Sequence, residues 1–214
     1  MPICPTCSQP MPATSPDTAT AVLAAAAAEW ARDVREPPHP GGAARIDTYI
    51  RGPQGLGWGS VEVGPGARPG IPYTRNRQFE WCGAFAAFCY GAAGLKRIHR
   101  LKRLASTYRL WVWSAEDNAA RHVDPEDLQP GDIVVMGPAG DRDGAHIAIC
   151  ATAPDGGTIT TVEGNAYGAG PTVARIEGVV RQVRPLAGAP GLFSADYRVL
   201  FGVRPLASDF EVVA

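Results

Sequence analysis

Four residues could do chemistry together: a thiol at the head of an apolar run, a histidine opening a strand, and an acid and an amide near the end of the next strand. Cys82 stands in RQFEWCGAFAAFCYGAAGL, residues 77–95. Phe85, Phe88 and Cys89 recur from it at helical spacing with Ala and Gly between, which predicts a buried helix with Cys82 in its first turn. Unpaired backbone N–H groups and the helix dipole favour an anion there, and a thiolate suits the place. Its proton needs an acceptor. His146 opens a strand in GAHIAIC, and TVEGN carries Glu163 and Asn165 at the end of the following one. If the two strands are neighbours, either residue could orient the imidazole, the logic of nucleophile, base and orienter in cysteine hydrolases. Glu163 and Asn165 share parity along an extended strand and are expected on one face. Glu163 is the preferred partner of His146, because a carboxylate also stabilises the imidazolium. Backbone N–H groups at the helix start would form part of an oxyanion hole.

Each of these residues also has a plainer reading. A cysteine in an apolar helix is usually a small core residue, and that reading is given to Cys89 and Cys150. A single histidine on a strand is more often structural, and EGN alone is more often a turn. The functional reading rests on order: Cys at a helix start, His at the head of a strand, then acid and amide on the next.

Taken together, EWCGAFAAFCYGAAGL, LQPGDIVVM with GAHIAIC, and TVEGN resemble the core of the CHAP domain, the cysteine, histidine-dependent amidohydrolase/peptidase group related to the NlpC/P60 cell-wall peptidases. The resemblance covers about residues 80–206 and implies a papain-like fold. It implies Cys82 as nucleophile, His146 as base, Glu163 as the third polar residue and Asn165 as the fourth. Papain-like enzymes place a Gln or Tyr oxyanion donor upstream of the cysteine, which makes Gln78 and Tyr73 the candidates. Trp81 and Trp113 are candidates to line a substrate groove, with core aromatics as their alternative. The implied activity is hydrolysis of amide bonds in peptidoglycan, either the N-acetylmuramoyl–L-alanine bond or one within the stem peptide or cross-bridge.

The elements that must position these groups follow an α+β order. A helix is expected at about 17–34, with Ser15 as N-cap, Pro16 in the first turn and Asp17 at the positive end of the dipole. A short helix follows at 44–51, then a long Gly- and Pro-rich segment, the Cys82 helix, and a basic amphipathic helix with its connector over RIHRLKRLASTYRLWVWSAEDN. Beyond it, GDIVVMG, AHIAICAT, GTITTVEGN, EGVVRQVRP and YRVLFGVRPL are rich in β-branched residues and bounded by turn formers, as successive antiparallel strands would be. Residues 1–16 read as a flexible tail, and 17–214 as a single catalytic domain. No cofactor is expected.

The 214 residues carry a formal net charge of −1, which gives no reason to expect nucleic acid or an anionic membrane as the main partner. AVLAAAAA is too short to span a bilayer, and the residues before it lack the basic stretch of a signal peptide. Five cysteines is an odd number, so a disulfide framework is not expected. The pair Cys4 and Cys7 has zinc-ribbon spacing but supplies only two of four ligands, so no metal is expected. The run Lys96–Arg103 reads as a solvated helix face. With no export signal and no wall-binding repeat, the expectation is a toxin made in the bacterial cytoplasm. It would be delivered by a secretion machine to the periplasm and held in check by a cognate immunity protein. The rivals are a phage-type endolysin, a catalytically silent binding module of the same fold, and the same nucleophile acting on a protein or small amide.

Overall fold

The computed structural model describes residues 16–36, 39–51, 81–95, 107–116, 121–138, 144–172, 176–187, 197–206 and 209–210. Helix α1 spans Pro16–Ala31, α2 Gly42–Arg51, α3 Cys82–Ala92 and α4 Thr107–Glu116. Strands follow at His122–Val123 (β1), Ile133–Pro138 (β2), His146–Cys150 (β3), Thr158–Gly168 (β4), Ile176–Pro185 (β5) and Tyr197–Val203 (β6). The expected α+β order therefore holds. The two-residue β1 was not anticipated, since it is too short to show a period. Residues 1–15 of the expected tail, the basic run at 96–103 and the Gly- and Pro-rich segment at 52–78 lie outside the described residues, and Pro16 opens α1.

The strands form one antiparallel sheet in the order β1-β6-β2-β3-β4-β5. Strands β2 to β5 are consecutive neighbours, and β6 returns to the free edge of β2. The β2 sequence is apolar at successive positions because both faces of the sheet are covered. Ile133 and Val135 join the larger core with α1, α2, α3 and α4, while Val134 and Met136 join a smaller one with Val123, Leu128, Ala148 and Cys150. Helix α1 enters the larger core through Val22 and Ala26, so AVLAAAAA is a packing helix here. Among the described residues no helix is long and apolar enough to cross a membrane.

The turn LQPGD before β2 fastens this sheet to the helix that carries Cys82. The Gly131 N–H donates to the Cys150 carbonyl and the Cys150 N–H to the Asp132 carbonyl, both at 2.9 Å, which opens the β2–β3 ladder. Tyr90 of α3 donates its hydroxyl to the Gly131 carbonyl. Gly131 has φ +88°, and a Cβ there would meet Ala19 of α1 at 2.9 Å, so glycine is required twice over. Asp132 is fully buried and accepts a fork from Arg204, Nε at 2.9 Å and Nη2 at 2.7 Å. That pair ties the end of β6 to the start of β2.

On the other side, Glu29 of α1 is buried and accepts from Tyr49 (2.7 Å) and from Arg45 Nε (2.7 Å) of α2. Tyr49 stacks on Trp81 with centroids 5.7 Å apart, and the Trp81 indole donates to Glu36 at 2.8 Å. The start of α3 is thus held from both flanks.

Candidate active site

Cys82 is the first residue of α3, as the helical spacing predicts. Trp81 occupies the N-cap position and offers no side-chain cap hydrogen bond. The first bond of the helix runs from the Phe85 N–H to the Trp81 carbonyl at 2.9 Å, so the N–H groups before Phe85 have no helical acceptor. They face the end of the helix where an oxyanion or thiolate would be stabilised. Three cysteines are free among the described residues, and burial separates them. Cys89 and Cys150 are at 0 % exposure, and burial pushes the Cys150 thiol up to about 12 and that of Cys89 well above its ordinary value. Cys82 keeps 5 % exposure and the neighbouring His146 9 %, so this pair retains a small opening to the surface.

His146 begins β3, and Glu163 lies on the adjacent β4. His146 donates from Nε2 to Glu163 Oε2 at 3.0 Å. With Nε2 committed, the interaction of the imidazole with the Cys82 sulfur falls to Nδ1. A neutral ring in this tautomer presents its lone pair to the thiol. Burial works against the imidazolium, but the Cys82 sulfur and the Glu163 carboxylate on its two sides win, raising His146 from 6.5 to about 10. Glu163 is itself fully buried. Burial opposes its charge, yet the hydrogen bonds from Arg184 and His146 hold it well below the usual carboxylate range.

Residues 73–165 match the family model of the CHAP domain. This segment is similar to the CHAP domain. The match begins at Tyr73 and ends at Asn165, so it includes Cys82, His146 and Glu163. No curated protein matches the chain.

The structure brings Cys82, His146 and Glu163 of the matched segment together, with the imidazole interacting with both the sulfur and the carboxylate. Asn165 requires a correction. The β4–β5 register shifts between Glu163 and Ala166, and Asn165 adopts φ +57°. A bulge of this kind breaks the two-residue period, so shared parity no longer puts Glu163 and Asn165 on one face. The groove reading of Trp81 and Trp113 is also overturned. Both are fully buried, Trp81 against Tyr49 and Trp113 beneath the Arg121 guanidinium, so neither can line an open surface. Gln78 and Tyr73 lie outside the described residues.

Three contributors escaped the sequence reading. Thr161, two residues before Glu163, donates its hydroxyl to Glu163 Oε1. Arg184 of β5 donates from Nε to Oε1 at 2.7 Å and from Nη2 to Oε2 at 2.5 Å. Gly164 lets the helix start sit directly on β4: a Cβ there would lie 2.6 Å from both Phe85 Cβ and the Trp81 ring. Thr161 was within reach of the parity rule. A buried arginine on β5 had no such signal, because its acidic partner is known only once the neighbouring strand is.

Proposed function

We propose that the chain is a cysteine hydrolase of peptidoglycan that cleaves an amide bond with Cys82 as nucleophile and His146 as acid and base. The observation that carries this reading is that Cys82, at the start of α3, interacts with the His146 ring whose Nε2 is bonded to the buried Glu163 carboxylate at 3.0 Å. In the first step the Cys82 thiolate attacks the carbonyl carbon, and the oxyanion that forms is stabilised by N–H groups at the start of α3. His146 gives its Nδ1 proton to the leaving nitrogen, the C–N bond breaks, and a thioester remains on Cys82. His146, now neutral, takes a proton from water, whose oxygen attacks the thioester. The acid leaves and the thiol proton is recovered. Glu163 supports the imidazolium at Nε2 throughout. The intact arrangement favours an enzyme over a silent binding module.

The bond cut is N-acetylmuramoyl–L-alanine or one within the stem peptide or cross-bridge. The test is incubation with purified peptidoglycan followed by mass spectrometry of the soluble products. New products with a free amine on one side and a free carboxyl on the other are expected, and none from folded Cys82→Ala. Intact peptidoglycan after treatment with native protein whose Cys82 reacts normally with alkylating agents would overturn the substrate. As the substrate lies in the cell wall, the enzyme acts in the periplasm or wall. Directing it there in a Gram-negative host should lyse cells, and retention in the cytoplasm should not. An antibacterial toxin with a cognate inhibitor fits this reading, and lysis in both compartments or in neither would count against it.

A further inference from the structure

The Glu163 carboxylate has four acceptor sites and four donors. Oε1 receives Arg184 Nε and the Thr161 hydroxyl, and Oε2 receives Arg184 Nη2 and His146 Nε2. An ionised carboxylate has about four lone-pair positions, so this one is filled and cannot turn away from the ring. Half of the filling comes from Arg184, a residue 3 % exposed that lies beyond the matched CHAP segment. A planar fork on a carboxylate fixes direction as well as charge. We propose that Arg184 is a positioning residue for the Cys82–His146 chemistry: by gripping both oxygens of Glu163 it holds the carboxylate as a fixed counter-charge behind the imidazole. This rests on the proposed roles of Cys82 and His146.

Each packed element contributes one charged group to this line: Cys82 from α3, His146 from β3, Glu163 from β4 and Arg184 from β5. Their signs alternate when the thiolate–imidazolium pair forms, and the four together are neutral. Without Arg184 the same buried set would carry one excess negative charge, which low-dielectric surroundings penalise. Acidification would then quench Glu163 or the thiolate sooner.

The experiment follows the rate of Cys82 alkylation by iodoacetamide against pH, with peptide mapping. Labelling of Cys89 and Cys150 reports loss of the fold. Arg184→Met should move the acid limb of the Cys82 profile up by about one pH unit. Arg184→Lys, which keeps the charge but not the fork, should move it by less than half as much. In a Glu163→Gln background, Arg184→Met should move it no further, since the arginine acts through that carboxylate. If Met opens the core, Arg184→Gln is read in the same way. A limb that stays in place in these variants, or moves equally with and without Glu163, would overturn the proposal and mark Arg184 as a structural ion pair. Native protein in which Cys82 reacts no faster on the acid side than Cys89 or Cys150 would instead defeat the nucleophile itself.

Discussion

Glu163→Gln separates what the buried charges do for stability from what they do for catalysis. The substitution removes one charge and turns one acceptor oxygen into an NH2 donor. Four donors converge on that position, two of them from Arg184. An amide oxygen can satisfy two, and the new NH2 group meets the others donor to donor. Arg184 stays charged at 3 % exposure with its counter-ion gone. Removing one partner of a buried pair costs about 3–5 kcal/mol. Against a typical total stability of about 5–15 kcal/mol, the variant should fold but show a clearly lowered urea midpoint, followed by tryptophan fluorescence. Turnover on peptidoglycan should fall for a different reason, the loss of the carboxylate behind His146. Such losses reach about 10⁴-fold in serine enzymes. A thiol ionises more easily than a hydroxyl, so a loss of roughly 10²-fold is expected, on the scale of general-base contributions. The double variant Glu163→Gln, Arg184→Met removes the stranded charge and should recover stability but not turnover. A single variant within about 1 kcal/mol of the native protein, which is below the buried-pair range, would refute this reasoning. So would a double variant with restored turnover.

Gly164→Ala should destabilise by about 1–3 kcal/mol, as overpacking does, because the new Cβ lies 2.6 Å from Phe85 and Trp81; calorimetry checks it, and turnover should fall as the Cys82 turn is displaced. Asn165→Ala should lose about 1 kcal/mol to left-handed strain, whereas Asn165→Gly should keep the stability at φ +57°; equal denaturation midpoints for the two variants would show that backbone strain is not the cause. His146 is raised from 6.5 to about 10, so its contribution to stability is complete below about pH 6.5 and fades as pH climbs toward 10. Glu163 has the opposite sign, its contribution being present above the ordinary carboxylate value and lost on acidification. Denaturation midpoints across pH should show both arms, and His146→Gln should flatten the alkaline one.

What was legible in the sequence was what depends on local spacing. Cys82 at a helix start follows from the spacing of Phe85, Phe88 and Cys89, and it holds. His146 at the head of a strand follows from GAHIAIC, and the pairing with Glu163 follows once β3 and β4 are neighbours. The failures come from features that local spacing does not encode. One residue with φ > 0 at Asn165 cancels the parity rule for everything beyond it. Trp81 sits next to Cys82 in sequence, but its ring points into the core against Tyr49, since N-cap geometry rather than chain proximity sets its direction. Arg184 and Arg204 carry no signal in the sequence because their acidic partners, Glu163 and Asp132, are far away in the chain.

The same topology explains why the charged line could be assembled at all. In a run of consecutive antiparallel neighbours, β3 to β4 to β5, each strand can hand a side chain only to the next. His146, Glu163 and Arg184 take one strand each, in chain order, and α3 packs across β3 and β4 to bring Cys82 to the free end. The order of charges is therefore the order of the chain. A β5 lying elsewhere in the sheet would leave Glu163 to be neutralised by His146 alone, and burial would then favour a proton on the carboxyl. Placing β5 at that edge is in part the work of two glycine contacts: Gly178 lets the Val34–Arg35 backbone run directly against β5, where a Cβ would lie 2.1 Å from the Val34 carbonyl oxygen, and Gly42 leaves room for the Arg35 carbonyl. Those contacts are remote from Cys82, yet they hold in place the strand that carries the last charge of the line.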